Sequence, residues 1–271
     1  MSKRIAFIGG GNMASAIIGG LLRQGFPLDQ IDVVEPFAPA RDRLASSYGL
    51  TGAATPDAFL AGADLVVWAV KPQTFRQAAA PVQAHTRQAL HLSVAAGIRS
   101  DSLSRWLGTE RVVRAMPNTP ALIGKGISAL FARPPVHQAD RKWVEQVMAS
   151  TGEFLWLDSE EKLDAVTALS GSGPAYLFYF MEAMTTAGTE MGLTREQAHQ
   201  LTVATFVGAS ALARSSSETP RVLRQRVTSK GGTTEAAITS MDDDDLPAQL
   251  INAIYVARNR ARELGDQLGD A

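Results

Sequence analysis

The stretch Arg4-Ile5-Ala6-Phe7-Ile8-Gly9-Gly10-Gly11-Asn12-Met13-Ala14 decides the fold. An apolar run over residues 4–8 reads as a short buried strand, and it leads directly into a G-x-G-x-x-G/A dinucleotide fingerprint. In that fingerprint Gly9 makes the tight turn, Gly11 lets the backbone approach a pyrophosphate, and Ala14 permits close helix-on-strand packing. The apolar residues Ala16, Ile17, Ile18, Leu21 and Leu22 follow at helical spacing. A second strand over residues 31–35 ends in Glu35, near the offset where an acid bonds the ribose hydroxyls of a dinucleotide. The reading is an α/β, Rossmann-type, doubly wound parallel sheet at the N-terminus.

Working outward, short apolar runs alternate with helical patterns, as crossover connections between parallel strands require. Further strands are expected over 65–70, 90–95 and 112–116, with later additions over 127–131 and 154–157. The runs at 65–70 and 90–95 give way to Lys71-Pro72-Gln73 and Ala96-Gly97, and loops at the carboxyl ends of strands face the ligand crevice of such a sheet. After about residue 160 the strand pattern stops. Helices are expected over 174–191, 194–214, 221–227, 234–241 and 246–264. The chain therefore divides into a nucleotide-binding domain over 1–160 and an all-α C-terminal dimerisation and substrate domain over 161–271. The helix after Ser170-Gly171-Ser172-Gly173-Pro174 is apolar nearly all round, so it needs cover on every side, and a subunit interface is expected to supply it.

One segment of the helical half stands out. In Val227-Thr228-Ser229-Lys230-Gly231-Gly232-Thr233-Thr234 two glycines precede a helix whose first amides can bind an anion. The plain alternative is a helix cap made by Thr233 or Thr234.

Composition limits the rest. With 271 residues and a net charge of −1 the chain is long enough for two domains and shows no basic surface for nucleic acid. Zero cysteines exclude disulfides, thiolate nucleophiles and zinc–thiolate sites, and fit a reducing compartment. The histidines, at 85, 91, 137 and 199, lack metal-ligand spacing, so no metal is expected. No apolar stretch approaches the roughly 18 residues that a membrane span needs, and a soluble, cytoplasmic protein is expected. Asp242 to Asp245 reads as a solvated loop with a helix cap.

With both halves assembled, the chain resembles the pyrroline-5-carboxylate reductase family over nearly its whole length. The resemblance rests on Phe7 to Met13, Ala69-Val70-Lys71-Pro72-Gln73, Ser93-Val94-Ala95-Ala96-Gly97, Arg114-Ala115-Met116-Pro117-Asn118-Thr119-Pro120, the run from Asp164 to Tyr176, and Val227 to Thr234. It implies hydride transfer from NADPH or NADH to the C=N bond of 1-pyrroline-5-carboxylate, giving L-proline in the last step of proline biosynthesis. By the same resemblance Gly9, Gly10, Gly11, Asn12 and Met13 bind the pyrophosphate, and Ala69, Val70, Lys71 and Pro72 with Ser93, Ala95 and Ala96 line the nicotinamide side. Asn118 and Glu160 come near the substrate, while Ser229, Gly231, Gly232, Thr233 and Thr234 form the substrate loop. Thr234 is the hydroxyl placed for the ring nitrogen. The family forms homodimers that assemble further, often into decamers. Where family members often carry a glutamate three residues before Pro220, this chain has Ser217, and Glu218 follows. A β-hydroxyacid dehydrogenase would need a catalytic lysine that 170–176 does not offer, and a non-catalytic nucleotide sensor would have no need of the double glycine and Thr234.

Overall fold

A computed structural model describes residues 3–270. In chain order it contains β1 (Ile5–Ile8), α1 (Asn12–Arg23), β2 (Ile31–Val34), α2 (Ala38–Tyr48), β3 (Leu65–Trp68), α3 (Phe75–Thr86), β4 (Leu90–Ser93), α4 (Ser100–Leu107), β5 (Val112–Met116), β6 (Gly126–Ala132), α5 (Gln138–Ala149) and β7 (Gly152–Trp156). The helical half follows as α6 (Lys162–Val166), α7 (Gly173–Glu190), α8 (Arg195–Ser215), α9 (Pro220–Arg226), α10 (Thr233–Asp243) and α11 (Leu246–Asp270). A π-helical turn, Thr167–Gly171, follows α6.

The strands form one sheet in the order β2-β1-β3-β4-β5-β6-β7. All neighbours pair in parallel except β5 and β6, which are antiparallel. The expected parallel sheet thus holds through β5, and two reversed strands, β6 and β7, extend it. Strand order turns back on itself at β1 and β3, which is the switch point where open α/β sheets bind ligands.

Alternating strand residues divide the core between two faces. Ile5, Phe7, Leu65, Val67, Leu90 and Leu92 pack with Ile17, Ile18, Val144 and Met148 on one face. On the other, Ala6, Ile8, Val66 and Trp68 pack with Phe75, Val82, Leu103 and Leu107. Every one of these side chains is buried, which explains why the strands read as continuous apolar runs.

The backbone separates into two compact units, one of residues 1–172 with 257–271 and the other of 173–256. The last part of α11 belongs to the first unit because its small residues sit tightly there. A Cβ on Gly265 would lie 3.0 Å from Nε of Arg99, and one on Gly269 would lie 3.3 Å from Oγ of Ser102. The second unit has little interior. Among its residues only Gly188, Ala198 and Thr202 are buried, and within this chain the apolar α7 is not covered on every side: Phe178 is 63% and Tyr179 73% exposed. No helix among the described residues is long and apolar enough to cross a membrane.

Candidate functional site

In the first unit the glycine loop lies where β1 ends. The Gly9 amide donates to the Val34 carbonyl at 2.8 Å, tying the loop to the end of β2. Gly9 has φ +98°, and a Cβ there would come within 2.6 Å of the Ala69 carbonyl oxygen. No other residue fits that turn. Gly11 is the N-cap of α1, has no side chain to cap it, and faces open space where a Cβ would stand. The first-turn amides of α1 therefore have neither intrahelical acceptors nor a side-chain cap. Such a helix start, with its positive dipole end, fits a pyrophosphate. Ala14 is fully buried, as close packing of the helix on the sheet requires.

Glu35 follows β2 and is drawn into the loop. Its Oε2 accepts from the Gly10 amide at 2.7 Å and its Oε1 from the Phe37 amide at 2.8 Å. Arg41 donates through Nη1 to the carbonyls of Glu35 and Pro36, at 2.7 and 2.9 Å.

The strands beyond β1 supply the other wall. Ala69, Val70, Lys71 and Pro72 follow β3, and the Ala69 amide donates to Ile8 at 2.8 Å. Lys71 is exposed. Ser93 ends β4, and its Oγ accepts from the Ala95 amide at 3.3 Å, shaping the turn into Ala96. Asn118 lies two residues past β5, and its side-chain carbonyl accepts from the Ile127 amide at 3.0 Å.

Glu160 has partners that the sequence did not disclose. Its carboxylate accepts from the amide and hydroxyl of Ser100, both at 2.6 Å, and from Nη1 of Arg114 at 2.5 Å. Arg114 is only 5% exposed. Burial pushes its pKa below the ordinary arginine value, and Glu160 opposes that shift. The position expected to come near substrate is thus the counter-ion of a buried arginine on β5. Close by, a Cβ on Gly171 would lie 2.4 Å from Cε of Met116, so the π turn rests on the methionine that ends β5. π turns inside helices are frequent at functional sites. Glycine and serine clustering masked this one in the sequence.

Ser229, Gly231, Gly232, Thr233 and Thr234 all lie in the second unit. Gly231 has φ +73°, and its amide donates to Oε2 of Glu235 at 2.6 Å. The Gly232 amide donates to the Ser229 carbonyl at 3.0 Å, and a Cβ on Gly232 would meet Oγ of Ser229 at 2.6 Å. Gly232 is the N-cap of α10, with no side-chain cap bond. The plain cap reading for Thr233 or Thr234 therefore does not hold. Both threonines stand in the first turn, and the amides there have no intrahelical acceptor. In this loop the two glycine amides are already used internally, and the free donors are those of the helix start.

Ser217 is exposed, while Glu218 pairs with Arg226 at 2.5 Å and so braces α9 just before the loop. Among the described residues no group of three or more His, Asp or Glu is placed to hold a metal.

Comparison with known proteins bears on both units. A family model described as pyrroline-5-carboxylate reductase dimerisation matches residues 160–264, and one described as NADP oxidoreductase, coenzyme F420-dependent, matches residues 4–97. A pyrroline-5-carboxylate reductase from Pseudomonas aeruginosa is 47% identical over 272 residues, covering 99% of each chain. The solved structure of such a reductase from Coxiella burnetii aligns with a TM-score of 0.88 at 37% identity, covering 97% of this chain and 99% of its own. Pyrroline carboxylate reductase from Plasmodium falciparum, solved with NADP bound, gives 0.87 at 26% identity, covering 97% and 98%.

Proposed function

This chain belongs to the pyrroline-5-carboxylate reductase family, and from that premise we propose how its residues divide the reaction. The reaction is reduction of the C=N bond of 1-pyrroline-5-carboxylate to L-proline with NAD(P)H, the last step of proline biosynthesis. When bound, NAD(P)H supplies the hydride, and the protein binds and orients. Residues 1–160 serve the nucleotide, and residues 161–271 serve the substrate and the dimer.

Gly9, Gly10, Gly11, Asn12 and Met13 hold the pyrophosphate on the amides that open α1. Ala69 to Pro72 with Ser93, Ala95 and Ala96 flank the nicotinamide. On the substrate side the carboxylate of the imine is an anion, and the Thr233 and Thr234 amides at the start of α10 offer it donors along a favourable dipole. Gly231 and Gly232 give the loop the turn that brings Ser229 back against that helix start. The Thr234 hydroxyl, one residue past the first helical position, is the donor for the ring nitrogen as it becomes an amine. A threonine hydroxyl is too weak an acid to protonate nitrogen on its own account, so it positions the imine and relays a proton from water. Asn118 orients the substrate. Glu160 acts through Arg114 and Ser100 as a positioning residue for the end of β5.

The dimerisation segment over 160–264 works through α7, whose exposed Phe178 and Tyr179 face the same helix of a second copy about a two-fold axis. Such dimers assemble further into a decamer, and the enzyme works in the cytoplasm.

The observation that carries the substrate assignment is the glycine N-cap of α10, which leaves the helix start without a side-chain cap. Thr234→Val, nearly isosteric but without the hydroxyl, tests it. Loss of one hydrogen bond to the reacting nitrogen should cut kcat/KM for the imine by roughly 10- to 100-fold, about 1.4–2.7 kcal/mol, while cofactor affinity stays the same. Unchanged kinetics would reduce Thr234 to a residue of the helix start.

A further inference from the structure

The nucleotide loop carries a fixed negative charge. Both oxygens of Glu35 accept backbone amides, Oε2 from Gly10 and Oε1 from Phe37. A carboxylate oxygen has more than one lone pair, so each keeps capacity for a hydroxyl donor. Two tethers in different segments, the glycine loop and the β2–α2 connection, hold this side chain against swinging away. A Cβ on Gly10 would lie 3.2 Å from Cγ of Glu35, so a larger residue there would press on the Glu35 side chain.

A 2′-phosphate beside that carboxylate would need a cation to offset it. Arg41 is the arginine at this turn, and it is committed in part: its Nη1 donates to the carbonyls of Glu35 and Pro36. Its stem packs on Gly52, where a Cβ would come within 3.4 Å of Cγ. These bonds fix Nη1 on the two carbonyls, so any contact with a phosphate would fall to the Nε and Nη2 donors alone. Arg43 is two residues further along α2 and so projects from a different side of the helix.

We infer that this chain selects the dinucleotide without a 2′-phosphate, NADH over NADPH, and that Glu35, fixed by Gly10 and Phe37, is the residue that decides it. A hydroxyl-bearing ribose finds two oriented acceptors, and a phosphate dianion finds a like charge that cannot retreat. The inference rests on the nucleotide-binding part of the reductase reading and not on the imine chemistry.

Calorimetric titration with ADP-ribose and with 2′-phospho-ADP-ribose tests it without any hydride step. The native protein should bind ADP-ribose at least about tenfold more tightly. Glu35→Gln keeps the shape and removes the charge, and it should reduce that ratio by at least about fivefold, even if the altered tether weakens both ligands. Equal or tighter binding of the phosphorylated ligand by the native protein would overturn the inference and leave the reductase reading intact, as would a ratio that Glu35→Gln does not move. Failure of both ligands to bind would remove the nucleotide assignment of the glycine loop and the inference with it.

Discussion

The indole nitrogen of Trp68 donates to Nδ1 of His91 at 2.9 Å, while Nε2 of the same ring meets the Thr86 carbonyl at 3.0 Å. A carbonyl only accepts, so the Nε2 of His91 carries the proton and Nδ1 is the acceptor. Both side chains are fully buried, Trp68 on β3 and His91 on β4.

That arrangement holds the imidazole neutral. Burial lowers the His91 pKa from 6.5 to about 4. Because the folded value is depressed, the unfolded chain takes up the proton first as pH falls, and stability present above pH 6.5 is lost progressively toward pH 4. The shift corresponds to roughly 3 kcal/mol by the standard 1.36 kcal/mol per unit. His91→Gln offers a carbonyl to Trp68 and a donor to Thr86 without titrating. Urea unfolding between pH 7 and pH 4 should show a steeper loss for the native protein than for His91→Gln, and parallel curves would contradict the neutral-histidine account.

Glu160→Ala should destabilise the first unit strongly. It leaves Arg114 charged, buried and without its carboxylate, a situation that costs about 3–5 kcal/mol. Thermal unfolding of the native and variant proteins checks this. A variant with native Tm but a raised KM for the imine would instead make Glu160 a direct substrate contact.

Phe178→Glu should break the dimer. The side chain is 63% exposed on α7, in a unit that buries too little of its own apolar surface to stand alone, and a charge placed in a covered apolar interface would be left unpaired. Light scattering should report a dimer or larger assembly for the native protein and a monomer, poorly soluble, for the variant. A native monomer would overturn the interface assigned to α7.

Much of this was legible in the amino-acid order because apolar period and glycine position are local signals. All seven strands fall where apolar runs predict them, and Gly9 and Gly231 take the positive φ that their turns require. What was not legible depends on distant partners. The reversal of β6 against β5 leaves no mark on either strand's composition. Helix α11 runs past 264 to Asp270 because Gly265 and Gly269 are close-packing positions beside Arg99 and Ser102 and not helix ends. The acidity of Glu35 could be seen, but its tether to Gly10, 25 residues away, could not. Glu160 was singled out by the family resemblance, while its bonds to Ser100 and Arg114, 60 and 46 positions away, left no local mark.

Turnover of 1-pyrroline-5-carboxylate by the purified protein tests the central claim most directly. With either reduced nicotinamide cofactor present, loss of its absorbance should depend on the imine and be matched by L-proline formed in equal amount. No reaction with either cofactor, or oxidation of 3-hydroxyisobutyrate in its place, would contradict the account.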